Sequence, residues 1–297
     1  MLDGFTDERI PVATGVTLRV RRAGDGPPVL LLHGFPQTHL CWHKVAPALV
    51  AAGFDVILPD LRGYGDSDKP DSAEDHAPYS KRAMAADMVA LMDGLGVDRF
   101  AVAGHDRGGR VAHRLVRDHP ERVSVVAVLD IAPTLHMYET ANRTFATAYE
   151  HWFSLIQPAP FPETLIGADP GFYLASKLGG WSQGNPSAFS DAALSEYVRC
   201  FSDPACIHAT CEDYRASAGI DLDHDRADEG ALCPVPLLSL WGAKGLVGKL
   251  YDVPAVWRAH FETVEGAALP CGHFLPEEAP DETAEHLIAF FQRDRTG

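Results

Sequence analysis

The chain has 297 residues, 46% hydrophobic and 22% charged, which gives room for one large α/β domain with or without an insertion and excludes extensive disorder. A formal charge of −16 excludes a general nucleic-acid binder, because a polyanion needs a basic face. Apolar runs stop short of the ~20 residues that a membrane-spanning helix requires, and Met1-Leu2-Asp3-Gly4 opens without the apolar stretch of a signal peptide.

In chain order, Val29-Leu30-Leu31-Leu32-His33 is a continuous apolar run closed by a glycine, the pattern of a buried parallel strand. Asp55 to Leu58 repeats it and ends at Pro59-Asp60. Ser80 to Leu95 has helical periodicity behind a capping serine. Arg99 to Ala103 reads as a strand, Gly109 to Asp118 as a helix and Val123 to Leu129 as the next strand, a βαβ series that predicts a mainly parallel sheet. From Thr134 to Ala227 the signals are helical, with a break at Gln157-Pro158-Ala159-Pro160-Phe161-Pro162. Strand character resumes at Pro236 to Gly242, and a last helix covers Asp281 to Gln292. The predicted organisation is an α/β core over residues 1–133 and 228–297, with a helical cap over 134–227. Cys41, Cys200, Cys206, Cys211, Cys233 and Cys271 lack C-x-x-C spacing and read as free thiols of a cytoplasmic protein.

Between the strand ending near Ala103 and the following helix lies Gly104-His105-Asp106-Arg107-Gly108-Gly109. Small residues around a sharp strand-to-helix turn mark the nucleophile elbow of α/β-hydrolases, where the central position is usually serine. Here it is Asp106, a carboxylate that forms an ester with a carbon electrophile, so the substrates are alkylating ones such as halides or epoxides. No Walker lysine and hydroxyl follow, which sets aside a phosphate-binding loop. His273, in the glycine-preceded loop before the last helix, is the predicted base that activates water. Asp130, at the end of its strand, is the acid that orients it, because Trp241-Gly242-Ala243-Lys244-Gly245-Leu246 offers no carboxylate at the alternative place. The backbone amides of Phe35 and Arg107 are the predicted oxyanion donors.

His33-Gly34-Phe35-Pro36-Gln37-Thr38-His39, Asp60 to Ser67, Gly104 to Arg110, His151-Trp152, Cys211 to Arg215 and Gly272 to Glu277 resemble the fluoroacetate (haloacetate) dehalogenases of the α/β-hydrolase superfamily, nearly end to end. Haloalkane dehalogenases and epoxide hydrolases usually carry an apolar residue after the nucleophile. Arg107 stands there instead, and Arg110 follows one helical turn later on the same face. Two guanidinium groups beside the nucleophile clamp a carboxylate, which points to a small 2-haloacid as the substrate. The resemblance places the halide donors at His151, Trp152 and Tyr214 and implies a homodimer that needs neither metal nor organic cofactor. Two other readings are an epoxide hydrolase, with Tyr149 and Tyr214 protonating the epoxide, and a non-catalytic receptor on a hydrolase fold.

Overall fold

In the computed structural model, which describes residues 1–293, eight strands form one sheet. They are β1 (Glu8–Pro11), β2 (Thr17–Ala23), β3 (Pro28–Leu32), β4 (Asp55–Pro59), β5 (Phe100–His105), β6 (Val123–Leu129), β7 (Leu237–Gly242) and β8 (Val264–Leu269), in the spatial order β1-β2-β4-β3-β5-β6-β7-β8. β1 and β2 add antiparallel pairs at one edge, and every pair from β4 to β8 is parallel. β4 to β6 are buried along their whole length, as strands covered on both faces must be.

The predicted strands from Val29 to Gly242 and the helices behind the caps are present, with ends shifted by a residue or two. Ser80 caps the Lys81–Gly94 helix by accepting from the Ala83 amide. β1, β2 and β8 extend the sheet beyond the strands read from the sequence. Between β6 and β7 the elements are all helical, from Thr134–Glu139 to Ile220–Ala227, a helical insertion between two strands of the sheet. The predicted core range runs to 297, and its last four positions lie outside the described residues. All six cysteines are buried and unpaired, and no helix among the described residues is long and apolar enough to cross a membrane.

After β3 the chain moves to one side to form β4, then crosses back to place β5 on the other side of β3. That reversal opens a crevice at the carboxyl ends of β3 and β5, the usual ligand site of an open α/β sheet. The His33–Pro36 loop, Asp106 and Asp130 leave the carboxyl ends of β3, β5 and β6, and His273 follows β8.

Glycines let the turn close. A Cβ on Gly104 would meet the Gly108 carbonyl oxygen at 2.3 Å, and one on Gly108 would meet the His33 and Leu32 carbonyl oxygens at 2.4 and 2.5 Å. Since these neighbours are backbone atoms, they cannot rotate away. Gly108→Ala is therefore expected to cost about 2 kcal/mol or more, read by denaturant unfolding; unchanged stability would contradict this account of the turn.

Candidate active site

Asp106 sits between β5 and the Arg107–Asp118 helix with φ 47° and ψ −115°, outside the regions ordinary side chains favour. Such strain costs about 1–3 kcal/mol and persists where the surroundings impose it. The carboxylate does not cap its own helix. Its Oδ2 instead accepts from the Phe35 amide at 3.0 Å. The Arg107 amide, the other expected oxyanion donor, makes no hydrogen bond to the resting carboxylate. Burial disfavours the charged form of Asp106, but His273 and the two arginines outweigh it and hold the pKa below the ordinary carboxylate value.

His273 Nδ1 donates to Asp130 Oδ2 at 2.6 Å, and the Gly242 amide donates to Asp130 Oδ1 at 3.0 Å. The carboxylate is thereby fixed at both oxygens, and Nε2 is left as the basic ring nitrogen of His273. His105 Nε2 donates to the His273 carbonyl at 2.8 Å, and the His273 amide donates to the Trp181 carbonyl at 3.0 Å, so the loop is held from core and insertion alike. Burial pushes His105 down to about 3, which keeps it neutral beside Asp106. Burial also opposes charge on His273, but Asp130 and then Asp106 outweigh it and raise its pKa above the ordinary value. The His273 ring is expected to titrate above ~6.5, and Asp106→Asn to lower that pKa by removing one of the charges that raise it. Histidine-selective NMR titration measures both, and an identical titration in the variant would place Asp106 too far away to act.

Arg107 and Arg110 are both buried, with 1% and 4% of their surface exposed, so neither is a surface ion-pairing residue. Their partners differ. Arg107 Nε and Nη2 grip the two oxygens of Asp213 at 2.9 and 2.7 Å, while its Nη1 is buried with no hydrogen-bond partner. Arg110 Nη1 donates to the Ala132 carbonyl and the Thr134 hydroxyl, each at 3.0 Å, and Nη2 points at Met137 Sδ at 3.3 Å. All of these acceptors are neutral, and Arg110 has no carboxylate partner among the described residues; its Nε is buried and unbonded. Burial and the neighbouring Arg107 charge both lower its pKa, the signature of a cation short of an anion.

The insertion brings His151, Trp152 and Tyr214 to this place. His151 and Tyr214 rings lie 5.5 Å apart, the Tyr214 ring lies 4.1 Å from the Arg107 guanidinium, and Trp152 lies 4.6 Å from that of Arg110. The Tyr214 hydroxyl and His151 Nδ1 are buried without partners. Burial drives Tyr214 well above and His151 well below their ordinary pKa values, so both are neutral groups able to donate. A cavity of about 340 Å³ between insertion and core reaches Asp130 and His273, past Tyr149, Lys177 and Trp181. Away from these residues, Asp66, Glu196 and Cys200 bring three potential metal ligands together, but Arg19 and Arg199 already pair with both carboxylates.

Residues 27–280 match the family model of the alpha/beta hydrolase fold. The chain belongs to that family. Among curated α/β-hydrolases, a fluoroacetate dehalogenase from a Burkholderia species is 45% identical over 297 residues, covering 100% of this chain and 97% of that protein. The resemblance drawn from the motifs thus extends over the full length. A soluble epoxide hydrolase from a Corynebacterium species is 35% identical and covers 93% of this chain and 94% of its own length. The solved structure of an α/β hydrolase from Nostoc sp. PCC 7120 superposes with a TM-score of 0.96 at 54% identity, covering 98% of this chain and 99% of that one.

Sequence reasoning missed Asp213 and the part of His105. Asp213 lies within the Cys211 to Arg215 motif, but nothing local relates it to Arg107, 106 residues earlier.

Proposed function

We propose that this α/β-hydrolase cleaves the carbon–halogen bond of small 2-haloacids such as fluoroacetate, giving the 2-hydroxy acid and halide through an ester on Asp106. The observation that carries this reading is the buried pair of guanidinium groups beside a carboxylate nucleophile: Arg110 without a carboxylate partner among the described residues, and Arg107 with Nη1 unbonded. A substrate carboxylate held there presents its Cα to Asp106. Residues 134–227 act as the cap that closes over it.

With Oδ2 held by the Phe35 amide, Oδ1 of Asp106 is the attacking atom. The new C–O bond forms as the carbon–halogen bond breaks with inversion, and the electron pair leaves on the halide toward His151, Trp152 and Tyr214. Oδ2 then becomes the ester carbonyl oxygen, already hydrogen-bonded to an oxyanion donor, a contact worth roughly 3 kcal/mol once charge develops. Water gives its proton to His273 Nε2 and attacks the Asp106 carbonyl carbon. Asp130 stabilises the imidazolium; as the intermediate collapses, the departing alkoxide oxygen takes the proton back from His273 to give the hydroxy acid, and the Asp106 carboxyl loses its proton to solvent, restoring the carboxylate. The buried, unpaired thiols support a reducing, cytoplasmic setting, and the likeness to the fluoroacetate dehalogenases supports a homodimer.

Fluoroacetate, chloroacetate and bromoacetate are expected to release halide and yield glycolate, whereas styrene oxide is turned over at no more than about a hundredth of that rate because it leaves Arg110 without an anion and Arg107 Nη1 unbonded. Side-by-side halide and diol assays decide between them. Faster epoxide opening would transfer the reading to an epoxide hydrolase that uses Tyr149 and Tyr214, and no turnover of either class would favour a receptor.

A further inference from the structure

We propose that Asp213, together with Tyr64 and Lys81, is a positioning residue that sets the Arg107 guanidinium for the substrate carboxylate and makes the anion site depend on the seating of the helical insertion. The inference rests on the reading of Arg107 as a carboxylate ligand.

A guanidinium has five N–H donors in one plane, so fixing one edge fixes the direction of the rest. In Arg107, Nε donates to Asp213 Oδ2 at 2.9 Å, and Nη2 donates to Asp213 Oδ1 at 2.7 Å, to the Asp213 carbonyl at 2.9 Å and to the Ser217 hydroxyl at 2.5 Å. The Tyr214 ring covers one face at 4.1 Å. Edge and face are both held, and Nη1 alone remains unbonded.

Asp213 is itself fully buried and held from elsewhere. The Tyr64 hydroxyl donates to its Oδ2 at 2.7 Å, and Lys81 Nζ donates to its Oδ1. Because Lys81 draws on the same carboxylate, Asp213 orients Arg107 without being its exclusive counterion. Asp221 in turn accepts from the Lys81 amide at 2.8 Å and lies 3.7 Å from Lys81 Nζ, which balances the second cation. Burial opposes charge throughout, yet the two cations keep Asp213 ionised below the ordinary range.

The partners come from two parts of the fold. Arg107, Tyr64 and Lys81 belong to the core, whereas Asp213, Tyr214 and Ser217 lie on the Pro204–Ala218 helix of the insertion and Asp221 on the next helix. The fork on Arg107 therefore forms only when that helix is seated. The same helix turn carries Tyr214, so seating aligns the carboxylate ligand and the halide donor together.

The test is a double-mutant cycle of Asp213→Asn and Arg107→Met, read as chloroacetate KM and kcat and as calorimetric affinity for glycolate, with near-UV circular dichroism to verify the fold. Asp213→Asn is expected to weaken glycolate and raise KM by about thirtyfold, with a smaller fall in kcat, and to add less than about threefold to the loss already caused by Arg107→Met. A merely structural Asp213 predicts losses that multiply. A folded Asp213→Asn enzyme with wild-type glycolate affinity and KM overturns the proposal. Should Asp213→Asn not fold, Asp213→Glu keeps the charge but shifts the fork by one methylene, and an unchanged KM and affinity there overturns it equally. Glycolate binding needs no turnover: a wild-type protein that binds glycolate but releases no halide refutes the dehalogenase reading, while the same cycle read on glycolate still decides the role of Asp213.

Discussion

Asp106→Asn is expected to lose halide release by about 10⁴-fold or more while remaining folded, because the amide keeps the shape of the side chain and an oxygen for the Phe35 amide but removes the charged nucleophile. No other carboxylate among the site residues replaces it: Asp130 is held at both oxygens by His273 and the Gly242 amide, and Asp213 is locked to Arg107. An ion-selective electrode with chloroacetate and fluoroacetate measures the loss. The companion result in wild-type enzyme is a single turnover in heavy-oxygen water, which leaves the label in Asp106 because water attacks the aspartyl carbonyl carbon. Label found only in glycolate, or substantial activity in Asp106→Asn, would rule out the covalent ester.

His273→Asn separates the two half-reactions. In the proposed mechanism, displacement uses Asp106, the arginines and the halide donors, none of which needs His273 as a base. Hydrolysis needs its Nε2. The variant is expected to release one halide per active site and stop, with an intact mass increased by one carboxymethyl group and steady-state turnover reduced by about 10³-fold or more. Rapid-quench halide measurement and mass spectrometry follow both. Repeated turnover would give the base to another residue, and the absence of any burst would mean that His273 serves displacement as well. His273→Asn also removes a positive influence on Asp106, so the nucleophile in the variant titrates closer to the ordinary carboxylate value.

The central strands were legible because burial on both faces selects continuous apolar runs, as in Val29 to Leu32 and Val123 to Leu129. The edges were not. β1 is short and mostly exposed, and β8 reads Val-Glu-Gly-Ala-Ala-Leu with only Leu269 buried, so neither shows a clear period. β2 buries Leu18 and Val20 in alternation, the signal of a strand with one covered face, but three arginines among its seven residues obscure it. In the insertion the helices were legible as helices, while the identity of the groups they deliver to the crevice depended on likeness to known dehalogenases.

What the sequence by itself determined is local: a carboxylate at a glycine-framed turn, arginines one and four positions later, and an acid and a histidine in the order this fold uses. Backbone geometry over a few residues sets those relations, so they can be read without coordinates. Which nitrogens of the two arginines remain free was decided only by the tertiary structure. Asp213, 106 residues away, takes the Nε–Nη2 edge of Arg107, whereas Arg110 meets only neutral acceptors. A hydrogen bond between distant segments depends on how helices pack across the sheet, and a buried cation is left open to a ligand only where that packing supplies too few anions.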